Sequence, residues 1–450
     1  MTSKHVAQAP PPAATKQVAE YVIGTRLKDI PEDAVHGAKL LILDTIGVGI
    51  AALGQPVAQA MLDYVQWTGG RPIATVLGTK GFKTAPNQAA LANACLFNML
   101  DYDGFHHVPT HVLAASLAAG ELVEATGEQM LEAFILASEF AHQFNEVFDG
   151  PHTERDGPAK RGWYHLSIYG PIACALASSR LLGLDVAQTR AAMGNAVCGS
   201  GGVRQVLGTQ AKGLAPGHSA SFGVQAALLA QRGMLGDPDI LEARLGLVKA
   251  LCLPGEADWE HLSKLGTSYA LARSQSLKRY PSVSPTHGVI AALQGLMREH
   301  KFGAGEVESL VAEVSVFSAR EAYATDTLSA GFSWPYILGA TLLDGGFKAE
   351  HLLEQRVRDP LIKEVTSRIR FVPRPSNNDA QSLSVTLRDG RTARADVKGS
   401  QARMETEDEV FAKYRDCAGA HLSPDDVDLL YHRVMGLEKL GSIAELTRIL

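Results

Sequence analysis

Two carboxylates and three imidazoles fall within a single short turn of this chain, Asp101-Tyr102-Asp103-Gly104-Phe105-His106-His107-Val108-Pro109-Thr110-His111. Aspartate and histidine are side chains that accept, hold and return protons under mild conditions. Taken singly, the acids would cap a helix and the histidines would line a solvated turn. Gathered in one turn between two apolar segments, the five read as a proton-transfer site. Before the turn, Leu91, Ala94, Cys95 and Met99 recur at three- and four-residue spacings, the mark of a helix starting near Asn87. That helix is predicted to end in Asp101-Tyr102-Asp103-Gly104, with the glycine as its stop, and a second apolar helix is predicted to follow the histidines.

Four further stretches set lone polar residues among tight-turn glycines. They are Arg161–Gly170, with Tyr164 and His165; Gly208–Gly217, with Lys212 and followed by His218; Leu277–His287, with Lys278 and Tyr280; and Gly331–Tyr336. Each has an ordinary reading beside the chemical one. Lysines usually stay in water, and Tyr164, Tyr336 and Trp163 could be core aromatics. Two lysines drawn into apolar, glycine-rich surroundings would instead be costly unless they meet anions.

These groups need a frame. From about Thr15 to Leu265 the pattern is helical almost throughout, with helices expected at 32–53, 56–67, 129–143, 171–182, 186–196, 217–231 and 239–251. The character then changes. Strands are expected at 307–318 and 366–372, and Ser382 to Val397 reads as a hairpin turning at Asp389-Gly390. Helices at 286–300, 335–343 and 350–356 are interleaved with them. After Ala402 helices return, at 405–415, at 425–435 and in a last one reaching Leu450. The expected architecture is mainly α: a helical domain built from both chain ends (17–271 and 402–450), an α+β lid (272–401), and a flexible Ala- and Pro-rich tail over residues 1–16.

Composition narrows the class. The chain has 450 residues, 46% hydrophobic and 20% charged, and a formal charge of −6, which suits an ordinary globular protein with room for two cores. No basic run or nucleic-acid signature is present, so no nucleic-acid partner is expected. The longest apolar run, Leu40 to Gly54, is broken by Asp44 and reads as too short to span a membrane. Five scattered cysteines without a C-x-x-C pair read as reduced thiols in a cytoplasmic protein. Gly47-Val48-Gly49 does not make a dinucleotide fingerprint, no P-loop or H-E-x-x-H occurs, and the spacing of His106, His107 and His111 matches no zinc site. Neither a metal nor an organic cofactor is expected.

In this order, the motifs LDTIGVGIAALG, NQAALAN with LDYD and a following His, GW with SSRLLGLD, GTQAK with GHSASFG, KRYPS with a later His, and FSWPYILGATLLDGG resemble the MmgE/PrpD family. The resemblance covers about residues 17–440. It implies a helical domain with a smaller α+β lid, usually a homodimer, and cofactor-free chemistry on small carboxylic acids. Activities in the family include dehydration of 2-methylcitrate, decarboxylation of cis-aconitate and epimerisation of iminodisuccinate. Residue by residue, Asp101 and Asp103 match two acids of the family's D-F-D-D-T, His111 its H-P-S histidine, Lys212 and Lys278 its two lysines, and Tyr336 a site tyrosine. Gly104-Phe105 stands in place of Asp-Thr, Val112 follows His111 in place of Pro, and Tyr164 or His165 takes the place of a catalytic histidine.

The resulting candidates for catalysis are Asp101, His111, Tyr164, His165, Lys212, Lys278 and Tyr336. Asp103, His107, His218, Tyr280 and His287 are candidates for binding substrate. The chemistry they would serve is proton movement next to a carboxylate, with lysines neutralising the charge that develops. A lyase acting on a di- or tricarboxylate is the first expectation. An epimerase using the same groups and a non-catalytic carboxylate-binding protein are the alternatives.

Overall fold

Helix α2 (Glu32–Ala52) is the axis of the helical part, with nearly every residue from Gly37 onward buried. It follows α1 (Ala14–Gly24) and precedes α3 (Pro56–Thr68). Next come α4 (Pro86–Asn98), α5 (Val108–Leu122), α6 (Gly127–Phe148), α7 (His165–Leu181), α8 (Val186–Ala196) and α9 (Leu214–Gln231). This computed structural model describes residues 11, 13–148, 157–254, 256–273, 277–316, 319, 322–374, 380–397, 404 and 406–450. The tail expected over residues 1–16 lies mostly outside these. Its last part is helical: α1 starts at Ala14, and buried Thr15 donates its hydroxyl to Glu242 at 2.5 Å. By length and hydropathy α2 is apolar enough to cross a membrane, contrary to the expectation from the interrupted run. In this fold 78% of its apolar window is buried, as in the core helix of a globular domain.

Other departures have local causes. Helix α7 was expected to begin at Pro171 but starts at His165, with the proline inside it. Proline lacks the N–H that would bond the carbonyl four residues back. Here that carbonyl, Ser167 O, accepts from Gly201 N at 2.8 Å. The helix expected over 239–251 shrinks to Leu247–Leu251. The chain doubles back, Leu247 N bonding Ile240 O at 2.9 Å, and a Cβ at Gly246 would stand 2.5 Å from that same carbonyl. The helix expected over 350–356 is broken at Leu353, which is extended, with His351 Nδ1 capping Lys348 N at 2.9 Å.

The β part is a four-stranded sheet of order β4-β3-β5-β6, made of β3 (Val307–Ser315), β4 (Ile369–Arg374), β5 (Gln381–Leu387) and β6 (Thr392–Val397); a two-stranded ribbon of β1 (Ala74–Thr75) and β2 (Lys83–Thr84) lies in the helical part. β3 runs parallel to β4 and antiparallel to β5, and β5 and β6 form the expected hairpin. Gly390 at its tip has φ +86°, which only glycine adopts easily. The helices Trp334–Asp344 and Pro360–Thr366 make the β3–β4 crossover that a parallel pair requires. Behind the sheet, Leu310, Val314, Leu338, Leu383 and Val385 form a second core. The helices Glu407–Ala418 and Pro424–Met435 return to the first core, where Gly47 lets Tyr414 approach α2 closely.

Candidate active site

The turn after α4 is built on unusual backbone. Asp101, His106 and His107 all have positive φ (+51°, +53° and +67°). Left-handed backbone in non-glycine residues costs about 1–3 kcal/mol each and persists only where its surroundings hold it. Gly104, expected to stop the helix, is not the left-handed residue. α4 ends at Asn98, and Asp101 N bonds back to Asn98 O at 3.1 Å. The carbonyl that this conformation turns inward is used, since Lys278 Nζ donates to Asp101 O at 2.7 Å.

Both sequence-nominated lysines converge on Asp101. Lys212 Nζ lies 2.7 Å from Oδ1, and Lys278 Nζ lies 2.6 Å from Oδ2. Lys212 comes from the loop before α9 and also donates to Asn98 Oδ1 at 2.8 Å. Close packing delivers it: a Cβ at Gly217 would stand 2.4 Å from Cys95 Sγ, so only glycine lets α9 lie this near α4. Burial opposes the Asp101 charge, but Lys212, Lys278 and His107 outweigh it and hold the carboxyl well below the usual range. Burial also opposes the Asp103 charge, but His107, with Lys212 and Lys278, outweighs it and lowers the carboxyl. His107 bridges the two acids, with Nδ1 2.7 Å from Asp103 Oδ2 and Nε2 3.3 Å from Asp101 Oδ1. Burial lowers Lys278, and Asp101 opposes the shift.

Three further groups stand beside this network without strong partners. His111, on the first turn of α5, is fully buried and neither ring nitrogen has a well-formed hydrogen bond. Burial pushes it down to about 3, so it is a neutral imidazole. The Tyr164 hydroxyl is buried and unbonded, and burial followed by the Asp101 and Asp103 charges raises it well above the usual phenol range. His165, half-buried, has a sequestered Nε2 and is pushed well down by burial and by His107. The Tyr164 and His165 rings meet edge-on at 5.1 Å. Both residues that stood as alternatives therefore border the acids and histidines of the turn.

The remaining candidates have partners of their own. His218 is exposed on α9 beside Phe222, with ring centroids 5.7 Å apart. Tyr280 donates to Gln294 at 2.6 Å, and the His287 ring meets it edge-on while Nε2 faces Ser282 O at 3.1 Å. Tyr336 donates to His351 O at 2.5 Å and packs edge-on to Tyr323 and Phe347, so its hydroxyl is already committed. Trp163, read as core, is 37% exposed and bridges to Val203.

Sequence reasoning passed over three contributors. Asn98 touches both networks, accepting from Lys212 and donating to Asp103 Oδ1 at 3.3 Å. Asp44 and Lys413 form a buried ion pair at 2.7 Å directly behind the turn. A signal for them existed: Asp44 is the one charge inside the apolar run of α2, and Lys413 falls on the buried face between Val410 and Cys417.

Chemically, the cluster offers two buried cations, a neutral imidazole and a protonated phenol around a carboxylate-sized focus. Comparison with known proteins matches the MmgE/PrpD N-terminal domain over residues 16–260 and the MmgE/PrpD C-terminal domain over residues 280–437. Lys278 falls in the short junction between the two matches. Full-length relatives include the cis-aconitate decarboxylase of Mus musculus, 26% identical over 97% of this chain and 93% of its own. The enzyme of the same name from Homo sapiens is also 26% identical, covering 97% and 94%. That from Aspergillus terreus is 24% identical, covering 97% and 95%. With both domain models matched in order across nearly the whole sequence, the chain belongs to the MmgE/PrpD family.

Proposed function

We propose that this protein is a lyase that removes CO2 from a small unsaturated tricarboxylate of the cis-aconitate type, using its own acid, base and cationic side chains. The observation that carries the reading is a single carboxylate, Asp101, holding two buried lysines beside His111 and Tyr164, whose polar atoms make no well-formed hydrogen bond. Asp101 occupies the place that a substrate carboxylate would take. An incoming polyanion exchanges with it on one or both lysines, and the buried ammonium groups neutralise its charge. Breaking the C–C bond to CO2 leaves an electron pair on carbon, which conjugation passes to a neighbouring carboxylate. Charge on those oxygens is greater in the transition state than in the ground state, so the lysines lower the barrier. The carbanion then takes a proton from a positioned acid. Tyr164 enters the reaction protonated and gives its proton to carbon, and water restores it afterwards, so that one proton is taken up for each CO2 released; neutral His111 adds no negative charge beside the developing carbanion. The relatives named cis-aconitate decarboxylase support the reaction class.

The test is turnover of cis-aconitate, 2-methylcitrate and iminodisuccinate in heavy water, following CO2 release and deuterium in the product. The expected result is CO2 release from the unsaturated tricarboxylate with one deuterium placed on carbon. Lys212→Ala should lower that turnover by about 10²–10³-fold, the scale of losing one preorganised charge at a developing oxyanion. Deuterium exchange without loss of CO2 would replace the reading with an isomerase. Binding without any exchange or turnover would replace it with a carboxylate-binding protein.

A further inference from the structure

Behind the cluster lies a lysine that touches none of its side chains yet holds both backbone segments that carry it. Lys413 is on the helix Glu407–Ala418, far along the chain from the catalytic turn. Its ammonium is buried and has three partners. It pairs with Asp44 Oδ1 at 2.7 Å, donates to Tyr102 O at 2.7 Å and donates to Lys278 O at 3.0 Å. An ammonium has three donors; two go to these carbonyls, and the charge also faces the Asp44 carboxylate. The nitrogen also sits 3.8 Å over the Tyr102 ring, within cation–π range.

The two carbonyls are informative. Tyr102 separates Asp101 from Asp103, and Lys278 is itself one of the two cations on Asp101. The left-handed Asp101 and the residue after it thus have successive carbonyls held by successive buried lysines, Lys278 on the first and Lys413 on the second. Two more contacts close the same seam. The Tyr102 hydroxyl donates to Arg279 O at 3.1 Å, and Arg279 pairs with Glu409, one turn before Lys413 on the same helix.

We propose that Lys413 is a positioning residue that sets the spacing between the Asp101–Asp103 turn and Lys278, with Asp44 as the counter-ion that keeps its ammonium aimed. The role rests on the reading of the cluster as the lyase site. It adds that the catalytic geometry is fixed from the far side by the C-terminal segment. A pair that merely filled space would tolerate neutral replacements of similar shape, as buried ion pairs often do. A clip that fixes carbonyl positions would not.

The experiment uses the full-length double variant Asp44→Asn/Lys413→Met, which removes both buried charges together so that neither is left unpaired. Thermal unfolding should remain a single cooperative transition, with its midpoint lowered because two buried carbonyls lose their donor. kcat should fall by at least tenfold while KM changes by less than threefold, because a displaced Lys278 loses transition-state contact first. Amide exchange should rise at least tenfold in peptides spanning residues 99–104 and 277–281, and should not change in α7 and α9. Parent-like exchange in both peptides, or kcat within twofold of the parent in a folded double variant, would overturn the proposal. Exchange also separates the two ideas. If the parent turns over none of the carboxylates, the lyase reading falls, and the exchange pattern alone decides the place of Lys413.

Discussion

His111 illustrates how one buried side chain couples the site to stability. Its folded-state pKa is pushed down to about 3, below the value of about 6.5 for an unfolded histidine. The sign follows from linkage. The contribution is fully present above about pH 6.5 and is lost as pH falls toward 3, because over that window the unfolded chain binds a proton that the native site refuses. One such group changes the unfolding free energy by up to about 1.4 kcal/mol per pH unit. His142 and His165 are lowered by burial and act in the same sense. Asp44, raised by burial to about 6, and Glu139, raised to about 7, act in the opposite sense. All four remain in His111→Asn, so the difference between the two proteins isolates His111. Urea unfolding from pH 6 to pH 4 should therefore show a slope about 1.4 kcal/mol per pH unit shallower in His111→Asn than in the parent. Equal slopes would mean that the imidazole is already charged in the folded state.

At the scale of elements, the cluster depends on how closely α9 and α4 approach. Gly217 is the contact point: a Cβ there would stand 2.4 Å from Cys95 Sγ and 2.9 Å from Leu91 O, a rigid backbone atom. Overpacking of this kind costs about 1–3 kcal/mol. Gly217→Val should lower the urea midpoint accordingly with an unchanged denaturant slope, and should weaken turnover beyond the stability loss, because Lys212 sits on the loop that leads into α9. A neutral Gly217→Val would show that the helices can part without consequence. The grouping was legible in the sequence at the level of residue types: Asp101, Asp103, His107, His111, Tyr164, Lys212 and Lys278 were all nominated, and all meet or border one network. What periodicity could not read was pairing across distance. Asn98 and Lys212 are 114 residues apart, and no spacing rule links them. Local overrides were also hidden. Pro171 reads as a helix start, but a carbonyl acceptor for Gly201 lets the helix run through it. Gly104 reads as the left-handed stop, but Asp101 takes that conformation because Lys278 holds its carbonyl.

For the whole molecule, the helix Trp334–Asp344 decides how the two cores communicate. Trp334, Leu338 and Leu342, spaced by four, belong to the core behind the sheet. Tyr336, Ile337 and Ala340 on its other face belong to the helical core. The helix His287–His300 is shared in the same way, with Val289, Leu293 and Leu296 on one side and Ile290 on the other. The helix Trp334–Asp344 is apolar nearly all round because both its sides are buried, whereas His287–His300 keeps Arg298 and Glu299 exposed at its end. The chain ends tie in as well: Gly127 N bonds Leu440 O at 3.0 Å, and Gly78 N bonds Leu450 O at 2.7 Å. A β part that shares its wall helix with the main core cannot melt and leave that core intact, since the core would lose Tyr336, Ile337 and Ala340 together. Residues 14–271 without the rest would also uncover the face of α2 that meets Tyr414, and would leave Asp44 buried without Lys413. Calorimetry on the full chain should accordingly give one transition whose calorimetric and van't Hoff enthalpies agree, although the sequence alone reads as two domains. The fragment 14–271 should show no cooperative transition. Two resolved transitions in the full chain, or a sharp one in the fragment, would mean that the wall helices contribute little to the larger core and that the site is assembled from units that fold independently.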